Sequence, residues 1–318
     1  MTKNTATLGA LFAAFTGVVW GGQFVVGKSA LGRVDPFWLS TIRYAGAVGL
    51  LLALLAFVEG RRALVLPAAR TLRLAALGTL GFAGFNLLAY TGLQHARPQS
   101  ASLIVALGPL LTAIVLWVRD RTRPSRTTLI ALVVALLGVG LVISRGRPTT
   151  LFTGSLGWGD LLVLGGVLSF VLYTLGAARH RELSPLRYTA LTAALGWPAI
   201  AGATLIGTAA GWISTPSGGA VWAIVPQILY LTIPGAVIAV LTWNAAVDRI
   251  GPQRTSLFGN LIPVTTFAIE IVRGYRPGAL ELAGAVIAIG ALVANNLLSR
   301  PRPARVQPLA EADLLEAA

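Results

Sequence analysis

The sequence contains no cysteine and only two histidines, His95 and His180. Without thiols the chain has no disulfide framework, no thiolate nucleophile and no sulfur ligand for a metal. Two histidines alone do not make a typical zinc site. Acidic residues are also scarce, 11 against 25 basic ones, and the sequence has no cluster of His, Asp or Glu at catalytic spacing. We therefore expect no metal, no other cofactor and no enzyme activity, which sets aside an intramembrane enzyme such as a lipid-modifying transferase.

Charged residues make up only 11% of the chain, against 55% hydrophobic residues, and the mean hydropathy is +0.76. A soluble globule of this length would lack the polar surface to cover itself, so we expect the chain to lie in a lipid bilayer. The net charge of +14 could suit nucleic acid, but the basic residues are scattered between apolar runs and form no single basic face. We therefore expect no nucleic-acid partner.

Long apolar stretches follow one another along the chain. A membrane-spanning helix needs about 20 mostly apolar residues. We predict an all-α, polytopic membrane protein with ten transmembrane helices, named spans one to ten, at residues 7–26, 36–58, 74–93, 100–118, 128–143, 156–178, 186–206, 221–246, 256–271 and 279–298.

The basic residues outside the spans are shared unevenly between the two sides of the membrane. If the N-terminus is cytoplasmic, 17 of them face the cytoplasm and seven face outward, with Arg43 set aside because it falls inside span two. An excess of Lys and Arg in short cytoplasmic loops is the usual orientation signal. We predict that both termini are cytoplasmic.

One sequence pattern occurs twice, at residues 98–119 and again at 252–273, and nine of the 22 aligned positions are identical. The copies fall on spans four and nine, and an odd offset of five spans inverts the second copy relative to the first. We predict two inverted five-helix repeats, 1–148 and 149–300, related by a pseudo-two-fold axis in the membrane plane, as in many transporters. Residues 301–318 are predicted to be a mobile cytoplasmic tail.

Several spans carry uncharged polar and aromatic residues at helical spacing, which gathers them on one face of each helix. We predict that these faces converge on one central substrate cavity between the halves. The alternative is that such residues hold helices together by close approach and interhelical hydrogen bonds. The cavity candidates are Trp20, Gln23, Asn86, Tyr90, Ser102, Ser169, Tyr173, Tyr230, Trp243, Asn244 and Asn260.

Two charged residues lie within spans, where an ion is costly without a partner. Arg43 in span two either attracts an anionic group, such as a substrate carboxylate, or donates to carbonyls at a helix end. Glu270 in span nine either belongs to a proton pathway or is a salt-bridged residue near the outer face. Both interpretations of each residue stay open at the level of sequence.

Prolines inside spans mark positions where a helix bends. Pro109 and Pro263 occupy equivalent places in the two copies of the repeated pattern, and Pro234 lies within span eight. Proline removes a backbone hydrogen bond and kinks its helix. We predict that these three prolines act as hinges or kinks.

Residues 22–29 fit the phosphate-binding pattern G-x-x-x-x-G-K-S. That motif joins a strand to a helix in a soluble α/β domain, whereas here it lies at the end of an apolar span. We reject nucleotide hydrolysis and expect Lys28 to extend toward the membrane interface.

Taken together, these residues resemble the ten-span EamA-type branch of the drug/metabolite transporter superfamily, over nearly the whole chain. Within this branch the chain is most similar to the amino-acid exporter group. One departure is that the family often ends spans four and nine with a Gly-Glu pair, which is absent here. The motifs that carry the resemblance are Trp20-Gly21 with Phe24, Pro36 with Arg43, Gly84-Phe85 through Tyr90 to Leu93, and Pro109 with Pro263.

The resemblance implies an inner-membrane exporter that moves amino acids or other small metabolites by alternating access through a central cavity. The uncharged candidate residues suit a zwitterion better than a sugar phosphate, which would demand several central Lys or Arg residues. Two alternatives within transport stay open. One is efflux of lipophilic cations, for which aromatic rings would supply cation-π surfaces; the other is a passive channel. The sequence does not define a substrate, a coupling ion or an oligomeric state.

Overall fold

The computed structural model describes residues 3–66, 68–121, 123–147, 157–180 and 182–298, and within these ranges the chain is helical with no strand. The predicted tail at 301–318 and the predicted junction of the repeats lie outside the described residues. The main helices are α1 (Lys3–Ala30), α2 (Pro36–Val58), α3 (Arg70–His95), α4 (Pro98–Ala106), α5 (Gly108–Asp120), α6 (Arg126–Ile143), α7 (Trp158–Ala177), α8 (Pro185–Ala209), α9 (Val225–Ile250), α10 (Arg254–Val272) and α11 (Ala279–Leu298).

Eight of the described helices are long and apolar enough to cross a membrane, namely α1, α2, α3, α6, α7, α8, α9 and α10. Helices α4 and α5 pass the same test only as a pair, bent by 41°, and they count as a ninth span if joined. The tenth predicted span falls on α11, whose described apolar stretch Ala279–Asn295 is shorter. The prediction of an all-helical membrane protein is confirmed, with eight or nine spans by this criterion among the described residues.

Two helices begin with the same sequence feature, a capping side chain followed by proline. Pro36 opens α2 and Pro185 opens α8, each at a position where the missing N–H of proline costs no hydrogen bond. The preceding side chain caps each helix, because Asp35 accepts from the backbone N–H of Phe37 and Ser184 accepts from that of Arg187. These two helix starts are therefore fixed by their sequence.

The helices pack in pairs whose members are far apart in the chain. Helix α2 lies against α8, and α6 lies against α11. Helix α1 packs on the last part of α9, and α7 packs on the last part of α3. Small residues bring the backbones together in these pairs, as where Gly138 of α6 meets Gly284 of α11.

Helices α3 and α9 share an irregularity that separates each of them into two halves. A π-helical turn occupies Thr79–Gly84 in α3 and Leu231–Ile238 in α9. Each contains a glycine against which another helix packs: Gly81 abuts the ring of Tyr173, and Gly235 abuts the amide oxygen of Gln23. Short π segments of this kind are frequent at functional sites.

Large apolar side chains cover much of the outer surface of the helices. Phe57 and Val272, for example, are 89% and 87% exposed. Trp158, Trp212 and Trp222 are also exposed, at the first residue of α7, between α8 and α9, and just before α9. Tryptophan at helix ends is typical of the boundary between lipid and water. This surface is suited to contact with lipid.

Candidate functional site

A cavity of about 560 Å³ lies among helices α1, α3, α4, α5, α7, α9 and α10, and we call it the aromatic cavity. The described residues that line it carry no charge. They are Trp20, Phe85, Val105, Gly108, Pro109, Thr112, Val167, Phe170, Val171, Thr174, Leu175, Trp243, Pro252, Ser256, Gly259 and Ile262.

Four aromatic rings from four helices form one wall of this cavity. Trp20 stands edge-on to Phe170 at 5.3 Å between ring centroids and lies 5.1 Å from Trp243. Phe85 lies 5.4 Å from Phe170. The indole N–H of Trp20 donates to the carbonyl of Gly235 at 3.1 Å, which fixes that ring on the π segment of α9. The wall can pack against a flat apolar group or attract a cation through its ring faces.

Three of the residues predicted from sequence line the aromatic cavity: Trp20, Trp243 and Pro109. The cavity wall also contains Phe85 and Phe170, which are not among the cavity residues predicted from sequence. Phe170 lies between the predicted Ser169 and Tyr173, and Phe85 precedes Asn86. Ring size, rather than polarity, was the signal that would have found them.

Other predicted cavity residues lie outside the aromatic cavity and bind neighbouring backbone. Tyr230 donates to the carbonyl of Val19 at 2.9 Å, and buried Ser102 donates to the carbonyl of Gln99 at 2.9 Å. Ser169 packs on Gly84. Asn260 differs from these residues, because it is 6% exposed and its amide oxygen has no hydrogen-bond partner among the described residues. The contacts of Tyr230, Ser102 and Ser169 match the alternative of hydrogen bonding and close approach between and within helices.

Three predicted residues meet in a second group, the guanidinium cluster, formed by Gln23, Arg43 and Tyr90. Arg43 is 1% exposed, and its carbon Cζ lies 5.0 Å from the ring centroid of Tyr44 and 5.1 Å from that of Tyr90. Among the described residues no acceptor forms a well-aligned hydrogen bond with its three guanidinium nitrogens, and the hydroxyl of Tyr90 is the polar group that lies beside them. In this structure Arg43 donates to no helix-end carbonyl among the described residues.

A small hollow of about 190 Å³ borders the guanidinium cluster. Gln23 and Tyr90 line it together with Phe24, Phe85 and Ala89. Phe85 also lines the aromatic cavity, so the two spaces share this phenylalanine. The amide oxygen of Gln23 and the hydroxyl of Tyr90 are buried without a hydrogen-bond partner. Polar groups of the cluster are thus available at the edge of a space.

A third group, the tyrosine cluster, consists of Tyr173, Thr192 and Asn244. The amide nitrogen of Asn244 donates to the hydroxyl of Tyr173 and to that of Thr189, both at 2.8 Å. The hydroxyls of Tyr173 and Thr192 lie 3.5 Å apart. In a similar way the amide nitrogen of Asn86 donates to Tyr44 at 3.1 Å. These predicted residues lie beside the aromatic cavity in hydrogen-bonded contact with each other, not in its wall.

An ionic group, the terminal lock, ties the start of α4 to the start of α11. Arg97 contacts Glu281 at 2.9 Å, and Tyr275 donates to the same carboxylate at 2.6 Å. Arg97 also donates to the carbonyl of Val142 at the end of α6. Burial, together with the hydrogen bond to Glu281, raises the pKa of Tyr275, so its hydroxyl stays protonated and donates. This lock could not be predicted from the sequence, because its members are far apart in the chain.

Glu270 lies close to the lock and has partners of its own. One carboxylate oxygen pairs with Arg273 at 3.0 Å, and the other accepts from the amide nitrogen of Gln99 at 3.4 Å. Both oxygens are therefore held in the structure. This geometry is that of the salt-bridged alternative, and it does not by itself test proton coupling.

The three predicted kink prolines lie at breaks in helical geometry. Pro109 begins α5 after the 41° bend. Pro263 follows the change from 3₁₀ to α geometry within α10, at Leu261. Pro234 lies inside the π segment of α9. Lys28, part of the rejected phosphate-binding pattern, donates to the carbonyl of Leu93 at 2.7 Å and thereby helps to cap α3.

Apolar spanning helices packed around a central uncharged cavity are the architecture of a membrane transport protein. The EamA-like transporter family matches residues 7–144 and 157–297. The chain therefore belongs to the EamA-like transporter family, within the drug/metabolite transporter superfamily.

Individual relatives agree with this assignment. The uncharacterized transporter YrdR of Bacillus subtilis is 33% identical over 94% of each chain. The uncharacterized transporter YyaM of the same organism is 30% identical over 92% of this chain and 93% of its own. The S-adenosylmethionine/S-adenosylhomocysteine transporter of Chlamydia muridarum is 27% identical over 58% of each chain. One crystal structure has a TM-score of 0.66 with this chain at 20% identity, covering 94% of this chain and 99% of its own, which shows the shared fold.

Proposed function

We propose that this protein is a secondary active transporter that exports amino acids or similar small metabolites by alternating access, with the aromatic cavity as its substrate site. The observation that carries the proposal is the cavity itself, about 560 Å³ of space with an uncharged lining, between helices from both ends of the chain. Helices broken at the cavity support it, since α4 and α5 bend there and α9 carries a π segment.

We propose further that the chain forms ten spans in two inverted repeats, 1–148 and 149–300, with α4 and α5 as one bent span. The π segments of α3 and α9 support this, because Gly81 and Gly235 are 154 positions apart, as are the two copies of the repeated pattern. The two ranges matched by the family fall one in each proposed repeat.

Contacts of α1 and α7 support the same relationship. Gly9 of α1 abuts Ile250, and Gly159 of α7 abuts Ala96, which is 154 positions before Ile250. Trp20 and Phe170, each 11 residues after its glycine, touch each other. Two equivalent residues are expected to touch each other where a two-fold axis passes between them. The contact of Trp20 with Phe170 therefore supports an axis at the wall of the aromatic cavity.

We propose an inner-membrane location with both termini cytoplasmic, from the excess of Lys and Arg on the cytoplasmic side. In that orientation the exposed Trp158, Trp212 and Trp222 lie at the outer boundary of the membrane. The cavity reaches toward the inner ends of α7 and α10, at Leu175 and Pro252, whereas the terminal lock lies at the outer ends. We propose that this arrangement is the inward-facing state of the cycle.

The aromatic lining also favours a second candidate function, the efflux of lipophilic cations. Trp20, Phe85, Phe170 and Trp243 offer ring faces without any acidic side chain, which suits a soft cation through cation-π attraction. The relative named as an S-adenosylmethionine/S-adenosylhomocysteine transporter adds a nucleoside with a flat ring to the set of solutes to be tested.

Counterflow in proteoliposomes tests the proposal. Vesicles containing the full-length protein are loaded with an unlabelled solute and diluted into the same labelled solute, using amino acids, S-adenosylmethionine and a quaternary ammonium dye. A carrier gives a transient overshoot of label, whereas a passive pore gives simple equilibration. An overshoot with any of these solutes identifies the class, and equilibration without overshoot contradicts alternating access.

A matched pair of tryptophan variants tests the site. Trp243→Ala removes a ring from the cavity wall and is expected to reduce counterflow at least about tenfold, because aromatic packing with a ligand is lost. Trp212→Ala removes an 82% exposed ring far from the cavity wall and is expected to change transport less than twofold. Equal losses in the two variants would contradict the placement of the substrate.

A further inference from the structure

The guanidinium cluster contains a buried cation whose hydrogen-bonding groups are unused. Arg43 is 1% exposed, and Nε, Nη1 and Nη2 have no well-aligned hydrogen-bond partner among the described residues. No carboxylate among the described residues forms an ion pair with it. An uncompensated charge in a low-dielectric interior is strongly unfavourable, so such a group is expected to acquire an anionic partner.

The tyrosine rings beside Arg43 do not supply that partner. Tyr44 and Tyr90 lie 5.0 and 5.1 Å from Cζ and attract the positive charge through their ring electrons. These ring contacts use none of the N–H donors, and an ionic partner that would neutralise the guanidinium is absent among the described residues. A carboxylate satisfies a guanidinium through two parallel N–H···O bonds, a geometry that no neutral group and no point charge reproduces.

The equivalent positions in the second half of the chain give an internal reference. Arg43 is seven residues after Pro36 at the start of α2, and Thr192 is seven residues after Pro185 at the start of α8. Helices α1 and α7 are matched in the same way through Gly9 and Gly159, and helices α3 and α9 through Gly81 and Gly235. Each residue of the guanidinium cluster then has an equivalent in the tyrosine cluster. The pairs are Gln23 with Tyr173, Arg43 with Thr192 and Tyr90 with Asn244.

The two equivalent clusters differ in how they are satisfied. Asn244, Tyr173 and Thr192 interact with one another and carry no charge. The positions of Gln23, Arg43 and Tyr90 instead hold a cation and several buried polar atoms without partners. One buried atom of the second cluster, Asn244 Oδ1, also lacks a partner, but that cluster is neutral and joined by hydrogen bonds. The first cluster holds a cation without an ionic partner among the described residues. This difference is the reason to assign the first cluster to a ligand rather than to helix packing.

Access from the aromatic cavity is short. Gln23 and Tyr90 border the hollow of about 190 Å³, and Phe85 forms a wall of both that hollow and the aromatic cavity. The side chain of Tyr90 lies beside those of Gln23 and Arg43. A solute that passes the ring of Phe85 can therefore present a polar end to Arg43 and keep its apolar body among the aromatic rings.

We propose that the guanidinium cluster is the carboxylate subsite of the transporter. Arg43 binds the carboxylate of the solute through its unused N–H donors, and the apolar body of the solute packs against Phe85 and the aromatic cavity. The solute class is a monocarboxylate with a flat apolar body. This inference rests on the proposed function, since it specifies which solutes the aromatic cavity takes.

Equilibrium binding to the purified full-length protein in detergent tests the subsite with three probes of one shape: phenylacetate, phenylacetamide and phenethylamine. They share the aromatic body and differ in a carboxylate, a neutral amide or an ammonium group. Phenylacetate is expected to bind at least about tenfold more tightly than phenylacetamide, because only the carboxylate forms charge-assisted hydrogen bonds with Arg43. Equal binding of these two, tightest binding of phenethylamine, or no binding of phenylacetate overturns the proposal.

Variants locate the preference at Arg43. Arg43→Gln is expected to bind phenylacetate and phenylacetamide equally, and Arg43→Lys to retain only part of the preference, because an ammonium lacks the planar fork. Thr192→Val at the equivalent position is expected to keep the full preference. If Arg43→Gln keeps the full preference for phenylacetate, the proposal is overturned. If that variant does not fold, the binding of the three probes to the parent protein is the test of the proposal.

Counterflow separates this inference from the proposed function. Preferential binding of phenylacetate without any overshoot in vesicles leaves the subsite standing and removes the carrier function. Overshoot with amino acids or dyes, combined with equal binding of phenylacetate and phenylacetamide, leaves the carrier standing and removes the subsite.

Discussion

The guanidinium cluster and the tyrosine cluster occupy equivalent places in the two halves of the chain and use their polar groups differently. In the second half, Asn244 donates to both Tyr173 and Thr189 at 2.8 Å. In the first half, Arg43 is buried with three nitrogens that donate no well-aligned hydrogen bond among the described residues. The comparison indicates that, in a duplicated scaffold, one copy can stabilise the helices while the other is left free to bind.

The largest expected effect comes from making the first cluster resemble the second. Gln23→Glu supplies an internal carboxylate beside Arg43 and so closes the cluster. We expect affinity for phenylacetate to fall by about two orders of magnitude, because the new charge repels the ligand and occupies its partner. The thermal midpoint of the protein is expected to rise. Gln23→Leu is the control that removes the amide without adding charge, and unchanged affinity in Gln23→Glu would contradict the comparison.

The next effect comes from opening the second cluster. Asn244→Leu removes the donor to Tyr173 and Thr189 and is expected to lower the free energy of unfolding by about 1–2 kcal/mol. Thermal unfolding in detergent measures this change, with Leu205→Ala on the exposed surface of α8 as the control. The ratio of phenylacetate to phenylacetamide affinity is expected to stay as in the parent. A changed ratio would show that both clusters bind ligand.

A smaller effect is expected at the terminal lock, which also lacks an equivalent. Arg97 is matched, 154 positions later, by Gly251, which has no side chain to form such a lock. Because the chain has no cysteine, a single Thr174→Cys reports on the cavity. We expect Glu281→Gln to increase labelling of that thiol from the outer side about fivefold, the value of a partly exposed ion pair. Glu182→Gln, exposed beside His180, is expected to leave the labelling rate unchanged.

The smallest effect is expected at Glu270, where the first half has Leu116, 154 positions earlier. Arg273 and Gln99 already hold the two carboxylate oxygens. We therefore expect counterflow by Glu270→Gln to keep the pH dependence of the parent protein. The measurement is made between pH 5 and 8 in steps of about one unit, because changes of side-chain charge near physiological pH fall in this range. A pH profile that becomes flat in the variant would instead support proton coupling through Glu270.

Much of the helical framework could be predicted from the sequence because lipid demands long apolar stretches and leaves few alternatives. The bend at Pro109 and the helix starts at Pro36 and Pro185 also follow from local chemistry. The π geometry could not be predicted. Thr79–Gly84 continues an apolar helical pattern, and Pro234 in Leu231–Ile238 predicts a kink but not the kind of helical turn that forms there. Their geometry depends on the helices packed against Gly81 and Gly235.

The site was harder to predict than the fold, for a physical reason. Helical spacing predicts one cavity for Asn86, Asn244 and Trp20, because it shows which residues share a face of a helix. It does not show which residues of other helices lie opposite that face. Asn86 and Asn244 each face a tyrosine to which they donate, and only Trp20 reaches the cavity. Arg43 and Glu281 differ in the same way: one buried charge has an ionic partner in the structure and the other has none. That distinction requires three-dimensional contacts.

The π segments of α3 and α9 each store one residue more than an α-helical path of the same length needs. If such a segment relaxes to α geometry, the half-helix beyond it turns by roughly 100° and advances about 1.5 Å, the rotation and rise of a single residue. In α9 that half carries Trp243, so the turn moves an indole ring away from the cavity wall. Two such ratchets, one in each half, give this fold a means of exchanging one set of lining side chains for another without breaking a helix.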